Sequence, residues 1–159
     1  MTYLIVLGLY FAILFALGWM SRRSMGFPAL TLAAGAIIAD LWTDSLTPVV
    51  AQTGIVLIKP PLQSLVAIAL TLLPALVVMI RAPKMASKHH GWFGSLVFAV
   101  LGVMLTYGAF SNAVVLDEGS KEVVRQIFSY EAIIITVAIL CSIAEVFLYR
   151  KPRVNDKRK

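Results

Sequence analysis

The hydrophobic positions form long uncharged runs that are separated by short polar connections. The first run, Tyr3 to Met20, has eighteen residues without a charge, which nearly covers about 30 Å of hydrocarbon at about 1.5 Å per helical residue. Four more runs follow, and no connection is long enough to form a soluble domain. The pattern predicts an all-α integral membrane domain over residues 1–149, with five transmembrane helices at about 3–20, 27–42, 64–80, 92–110 and 132–149.

The segment between the second and third runs has features that break helices. Pro48, Gly54 and Lys59-Pro60-Pro61 are difficult to place in one continuous helix. The apolar stretch 54–58 is too short to span, so it either lies in the interface or re-enters the membrane partway. This leaves an alternative fold with four spans plus a re-entrant or interfacial segment. Pro74 is predicted to kink the third span.

The longest polar connection, residues 111–131, contains a second short pattern. Val123, Val124, Ile127 and Phe128 share one helical face, which predicts a short helix on the outer membrane surface.

Basic residues predict the orientation. Lysine and arginine concentrate in the connections that alternation places on the cytoplasmic side, which predicts an outside N-terminus and a cytoplasmic C-terminus. Eleven of the fourteen follow this pattern: Arg22, Arg23, Arg81, Lys84, Lys88, Arg150, Lys151, Arg153, Lys157, Arg158 and Lys159. The tail 150–159 is predicted to contact anionic headgroups.

Composition agrees with a bilayer protein and argues against a nucleic-acid partner. The chain is 60% hydrophobic and 14% charged, against roughly 25% charged residues in soluble domains. Its net charge of +6 is explained by basic residues that flank the apolar runs. The first run has no basic residue ahead of it, so we expect a retained span rather than a signal peptide. This favours a bacterial inner membrane.

Small residues recur on the first two predicted spans. Gly8, Ala12 and Ala16 repeat every four residues, which would let a neighbouring helix approach closely. The second span has a similar face, formed by Ala29, Ala33 and Ala36. The short turn between the two spans then predicts a close antiparallel hairpin, although small residues are also generally frequent in membrane helices.

Three acidic residues fall within or beside the apolar runs. Asp40 and Asp44 are one helical turn apart, so they either line a polar cavity that could bind a cation or mark the end of the second span. Glu145 lies about one turn before Arg150. It either pairs with a nearby basic side chain, leans toward the headgroups, makes a polar contact between spans, or carries a proton on a polar route if it faces a wet cavity.

No residue set predicts catalysis, a cofactor or a metal. His89 and His90 are adjacent, so their side chains would point about 100° apart on a helix and lack the i, i+4 spacing of a helical metal site. The sequence has no Gly-x-Ser-x-Gly, His-Glu-x-x-His or phosphate-loop motif. The single Cys141 is interpreted as a packing residue.

The first four spans resemble the colicin V production protein family of small bacterial inner-membrane proteins. The resemblance covers about residues 3–110 and rests on three features: the basic turn into Gly26-Phe27, the small-residue helix through Ala33, Gly35, Ala36 and Ala39, and the run from Gly91-Trp92-Phe93-Gly94 to Gly102. It implies involvement in toxin production or export and in envelope maintenance. Two departures are the histidines at 89 and 90, where the family commonly has an acidic residue, and the fifth span.

Two functional hypotheses follow, and a membrane enzyme is a third with little support. The first is a non-enzymatic membrane protein that acts by helix packing, either with itself as a homo-oligomer or with another membrane protein. The second is a small oligomeric transporter or channel whose polar route passes near Asp40 and Asp44.

Overall fold

The computed structural model describes residues 2–21, 23–52, 61–82, 88–113 and 118–148. Within these ranges the chain is all-helical, as predicted, with this order: α1 Thr2–Ser21, α2 Gly26–Ala51, α3 Leu62–Arg81, α4 Lys88–Ala113, α5 Glu118–Phe128 and α6 Glu131–Leu148. Helices α1 to α4 are long and apolar enough to cross a membrane, and α5 with α6 passes the same test as a pair bent by 51°. These properties indicate a membrane protein.

Helix α2 differs from its predicted bounds. It continues through Pro48 to Ala51, so the prediction that the helix ends near Trp42 is wrong. Pro48 removes only the bond that its own N–H would make to the Asp44 carbonyl. The Thr47 hydroxyl donates to the Thr43 carbonyl at 2.6 Å in this region, and the ring of Pro48 is exposed. The predicted re-entrant stretch 54–58 lies outside the described residues.

The helices pair antiparallel, but not in the predicted order. Helix α1 packs mainly on α4, and α2 packs most extensively on α3. Helix α4 lies between α1 and α2, since a Cβ added at Gly102 would meet Leu14 of α1 at 2.8 Å and Leu32 of α2 at 3.7 Å. The predicted close hairpin of the first two spans is therefore wrong. The connection 22–25 is short, yet α4 occupies the space between the two helices.

Helix α4 is central to the core. In the most apolar stretch of α4, 56% is buried, whereas the corresponding stretches of α1 and α3 are 11% and 17% buried. Phe98 and Leu101 of α4 are fully buried against Leu14, Ala29 and Leu32. The outward faces of α1 and α3 are therefore apolar and uncovered within the described chain.

The antiparallel arrangement gives the bundle two chemically different ends. At the first, called the basic end, Arg23 donates from Nη1 to the carbonyls of Ile80 and Ala82, at 2.5 and 2.7 Å. This contact joins the connection after α1 to the C-terminus of α3, which carries Arg81. The opposite end carries Asp40 and Asp44 and is called the acidic end.

Candidate functional site

A cavity of about 310 Å³ opens at the acidic end between α2, α3 and α4. Its polar wall comes from two helices: α2 supplies Asp40, Thr43 and Asp44, and α3 supplies Gln63 and Ser64. Helix α4 contributes Ala109. The cavity combines the two acidic residues predicted from sequence with polar residues that the sequence analysis did not select.

Asp40 and Asp44 lie on the same face of α2 because residues four apart are neighbours on a helix. Both side chains are exposed, so each carboxylate reaches open space. Asp44 Oδ1 accepts a hydrogen bond of 2.8 Å from Nε2 of Gln63, which connects the two walls of the cavity. Since α2 continues to Ala51, neither carboxylate marks the end of the helix.

Thr43 and Ser64, two buried residues that line the cavity, differ in the hydrogen bonds of their hydroxyl groups. Thr43 is 8% exposed, and its hydroxyl donates to the Ala39 carbonyl at 2.6 Å. Ser64 is 4% exposed and also lines the cavity. Its backbone N–H donates to the Pro61 carbonyl at 3.0 Å, and within the described part of the chain its hydroxyl makes no hydrogen bond. The Ser64 hydroxyl is therefore free to bind a group inside the cavity.

Side-chain size explains why the helices leave a cavity at this level. Near the middle of α2, Gly35 lies directly on α3, and a Cβ there would be 2.5 Å from the Thr71 carbonyl oxygen. This contact fixes the two backbones close together. Toward the acidic end, Ala39, Ala67 and Ala109 line the cavity, and their short side chains leave the space between the helices unfilled.

Glu145 forms a separate polar contact at the basic end. Its Oε1 accepts hydrogen bonds from the Ser24 hydroxyl at 3.2 Å and from the Met25 backbone N–H at 3.0 Å. A carboxylate beside the N-terminus of α2 is favoured by the helix dipole. The carboxylate lies over Gly94, where a Cβ would be 2.7 Å from Oε2. Glu145 thus joins α6 to α2, and Arg150 lies outside the described residues.

The predicted packing residues fall into two groups. Ala29 is buried, and Ala33 and Ala36 are half-buried, so the small-residue face of α2 contributes to the interior. On α1, Ala16 is half-buried, Ala12 is exposed, and an added Cβ at Gly8 would meet nothing within 4 Å. The α1 face is therefore turned away from the other helices.

The remaining chemistry-bearing residues form no cluster. Cys141 is half-buried, and the side chains of His89 and His90 lie outside the described residues. Among side chains of residues 3–21, 23–52, 61–82, 92–111 and 122–147, no group of three or more His, Cys, Asp and Glu residues could hold a metal ion.

Several close-contact residues were missed by the sequence analysis. Gly18 approaches Ser95, and an added Cβ at Gly26 would lie 2.8 Å from the Ser142 carbonyl oxygen. The available signal was glycine inside a predicted helix, which often has a packing reason. Sequence spacing alone did not identify which glycines face another helix.

Comparison with protein-family models, curated proteins and solved structures gives no match for this chain. The resemblance to the colicin V production protein family stays a prediction.

Proposed function

We propose that this chain is a small, non-enzymatic, multi-pass membrane protein that acts by packing its helices against a membrane partner. The partner is a second copy or another membrane protein. The observation that carries the proposal is the outward face of α1, where Gly8 has open space around it and Ala12 is exposed. Because lipid is as apolar as leucine, helices associate in membranes through close packing at such small residues.

The proposal includes five spans in a bacterial inner membrane, with the N-terminus outside. Its support is the basic end, where Arg23 binds the C-terminus of α3, which carries Arg81. Helix α6 also ends there, as its Glu145 contact with Met25 indicates. On the family resemblance, the partner belongs to toxin production or export or to envelope maintenance.

Filling the outward face of α1 tests the packing proposal. We expect Gly8→Leu combined with Ala12→Leu to abolish the oligomer or partner complex, because the larger side chains hold the backbones apart. The measurement is cross-linking in native membranes, followed by light scattering in mild detergent. The matched control is Ile5→Leu with Ile13→Leu, since these positions are 69% and 50% exposed on α1 and the changes keep the volume. Unchanged assembly in the Gly8 and Ala12 variant would contradict the proposal.

The cavity at the acidic end favours a second candidate function, a small oligomeric transporter or channel. Ionisable residues within membrane helices often accompany substrate or ion pathways, and Asp40 and Asp44 line a cavity of about 310 Å³. We expect cation flux into liposomes that contain the protein, reduced at least tenfold by Asp40→Asn. The control is Glu122→Gln, which removes an exposed carboxylate from α5. Flux that is absent or insensitive to Asp40→Asn would exclude this route.

A further inference from the structure

We infer that the cavity at the acidic end binds a small primary ammonium ion with a short alkyl chain. The inference rests on the second candidate function and names its ligand class. It is carried by the charge of the cavity, by a largely buried serine whose hydroxyl makes no hydrogen bond in the described chain, and by the apolar surface beside them.

The charge of the cavity selects a cation. Asp40 and Asp44 place two carboxylates on one wall, and within the described residues no basic side chain pairs with either. Among the same described residues, the polar partner of the Asp44 carboxylate is the neutral amide of Gln63. A hydrogen bond from a neutral amide does not neutralise the carboxylate, so a bound cation would be attracted by both Asp40 and Asp44.

Ser64 provides an independent indication of a ligand. The residue is only 4% exposed, and it lines the cavity. Its hydroxyl oxygen is not enclosed by protein atoms but opens into the cavity, and in the described chain it makes no hydrogen bond. Thr43, beside it, already uses its hydroxyl on α2. The Ser64 oxygen is thus available to accept a hydrogen bond from a bound molecule.

The donor set fits an ammonium group better than a metal ion. A primary ammonium has three N–H donors, which matches two carboxylates and one hydroxyl oxygen. Calcium requires six to eight oxygen ligands, and the described side chains include no acidic cluster of three. The volume of about 310 Å³ is at the low end of the roughly 300–1,000 Å³ range of small-molecule pockets. A bare ion would leave most of it unused.

The remaining wall suits a short hydrocarbon chain. Ala39, Pro61, Ala67 and Ala109 line the same cavity and offer no charge. An alkyl group of about four carbons would bury its apolar surface against these residues, which is favourable, while its ammonium group faces the carboxylates.

Titration calorimetry on the full chain in lipid nanodiscs tests the inference, with n-butylammonium chloride as the probe at constant ionic strength set with sodium chloride. We expect saturable binding of butylammonium and none of n-butanol, which has the same chain without the charge. Tetramethylammonium, which has the charge without N–H donors, should bind at least tenfold more weakly. Equal binding of butylammonium and tetramethylammonium, or none of either, would overturn the inference.

Three substitutions locate the binding. Asp40→Asn and Asp44→Asn should each weaken butylammonium binding about tenfold or more, as expected for a hydrogen bond to a charged group. Ser64→Ala should weaken it about threefold to tenfold, as expected for a neutral hydrogen bond. Glu122→Gln removes the same charge outside the cavity and should leave the affinity unchanged. Thermal unfolding of each variant confirms that it is folded, and equal affinity of all folded variants would place the ligand elsewhere.

The binding and flux experiments test the ammonium ligand and the transport route separately. Saturable, Asp44-dependent binding without flux in liposomes supports the site and rejects the transport route. Flux that Asp40→Asn reduces, without butylammonium binding, supports the route and rejects the ligand class.

Discussion

At the scale of single residues, glycine has a different role at each helix contact. Gly35 meets the backbone carbonyl of Thr71, whereas Gly94 meets the carboxylate of Glu145, the far end of a flexible side chain. Gly108 meets nothing within 4 Å. A backbone contact can be relieved only by separating two helices, whereas a side chain can rotate away. The three positions therefore differ in their tolerance of one methyl group.

Alanine substitution at these glycines should produce an ordered series of stabilities. We expect Gly35→Ala to lower the free energy of unfolding by about 1–3 kcal/mol, as overpacking does, and Gly94→Ala to lower it less. Gly108→Ala should be neutral or slightly stabilising, because alanine is the better helix former. The measurement is reversible unfolding in mixed micelles, monitored by circular dichroism.

A double-mutant cycle isolates the contact between Gly94 and Glu145. If the cost of Gly94→Ala arises from displacing the carboxylate from the Met25 N–H, it should disappear in a Glu145→Ala background. A cost that persists there, or a cost at Gly108 equal to that at Gly35, would contradict the assignment of these costs to the helix contacts, because the higher helix propensity of alanine would by itself stabilise each variant.

At the scale of helices, the sequence predicted which segments form helices better than it predicted which helices pack against each other. Uncharged run length indicates a helix long enough to span, which is why α1, α3, α4 and α6 lie near their expected bounds. The short helix expected from Val123 and Ile127 is confirmed as α5. Pairing was not predictable, because α1 is apolar on all sides and so has no polar stripe that identifies its inner face.

The candidate site likewise contains residues that could be selected from the sequence and residues that could not. Asp40 and Asp44 could be selected from sequence because a charge in an apolar run is unusual. Gln63 and Ser64 could not, since neither is charged and both lie at the start of α3. Their role depends on the α2–α3 register, which the contact of Gly35 with Thr71 fixes. A hydroxyl without a partner can be recognised only in the folded chain.

At the scale of the whole molecule, the number of crossings and the orientation are linked. Five spans place residue 155 and α5 on opposite sides of the membrane, whereas four spans with α5 and α6 at the surface place them on the same side. The basic residues favour the first arrangement, since moving an arginine or lysine to the centre of a membrane helix costs about 2.5–3.5 kcal/mol by insertion scales. Six basic residues in positions 150–159 make translocation of this segment costly.

Labelling of single cysteines in intact cells distinguishes the two arrangements. In a Cys141→Ala background, we expect Glu122→Cys, which is exposed on α5, to react with an impermeant maleimide from the periplasm. Asn155→Cys should react only after the inner membrane is permeabilised, because the basic residues around it oppose translocation. The matched control is Ser45→Cys, an exposed position at the acidic end, which should behave like Glu122→Cys. Reaction of Asn155→Cys and Glu122→Cys from the same side would establish an even number of crossings. The cavity between α2 and α3 would keep its chemistry in that arrangement, since α1 to α4 are long and apolar enough to supply four crossings.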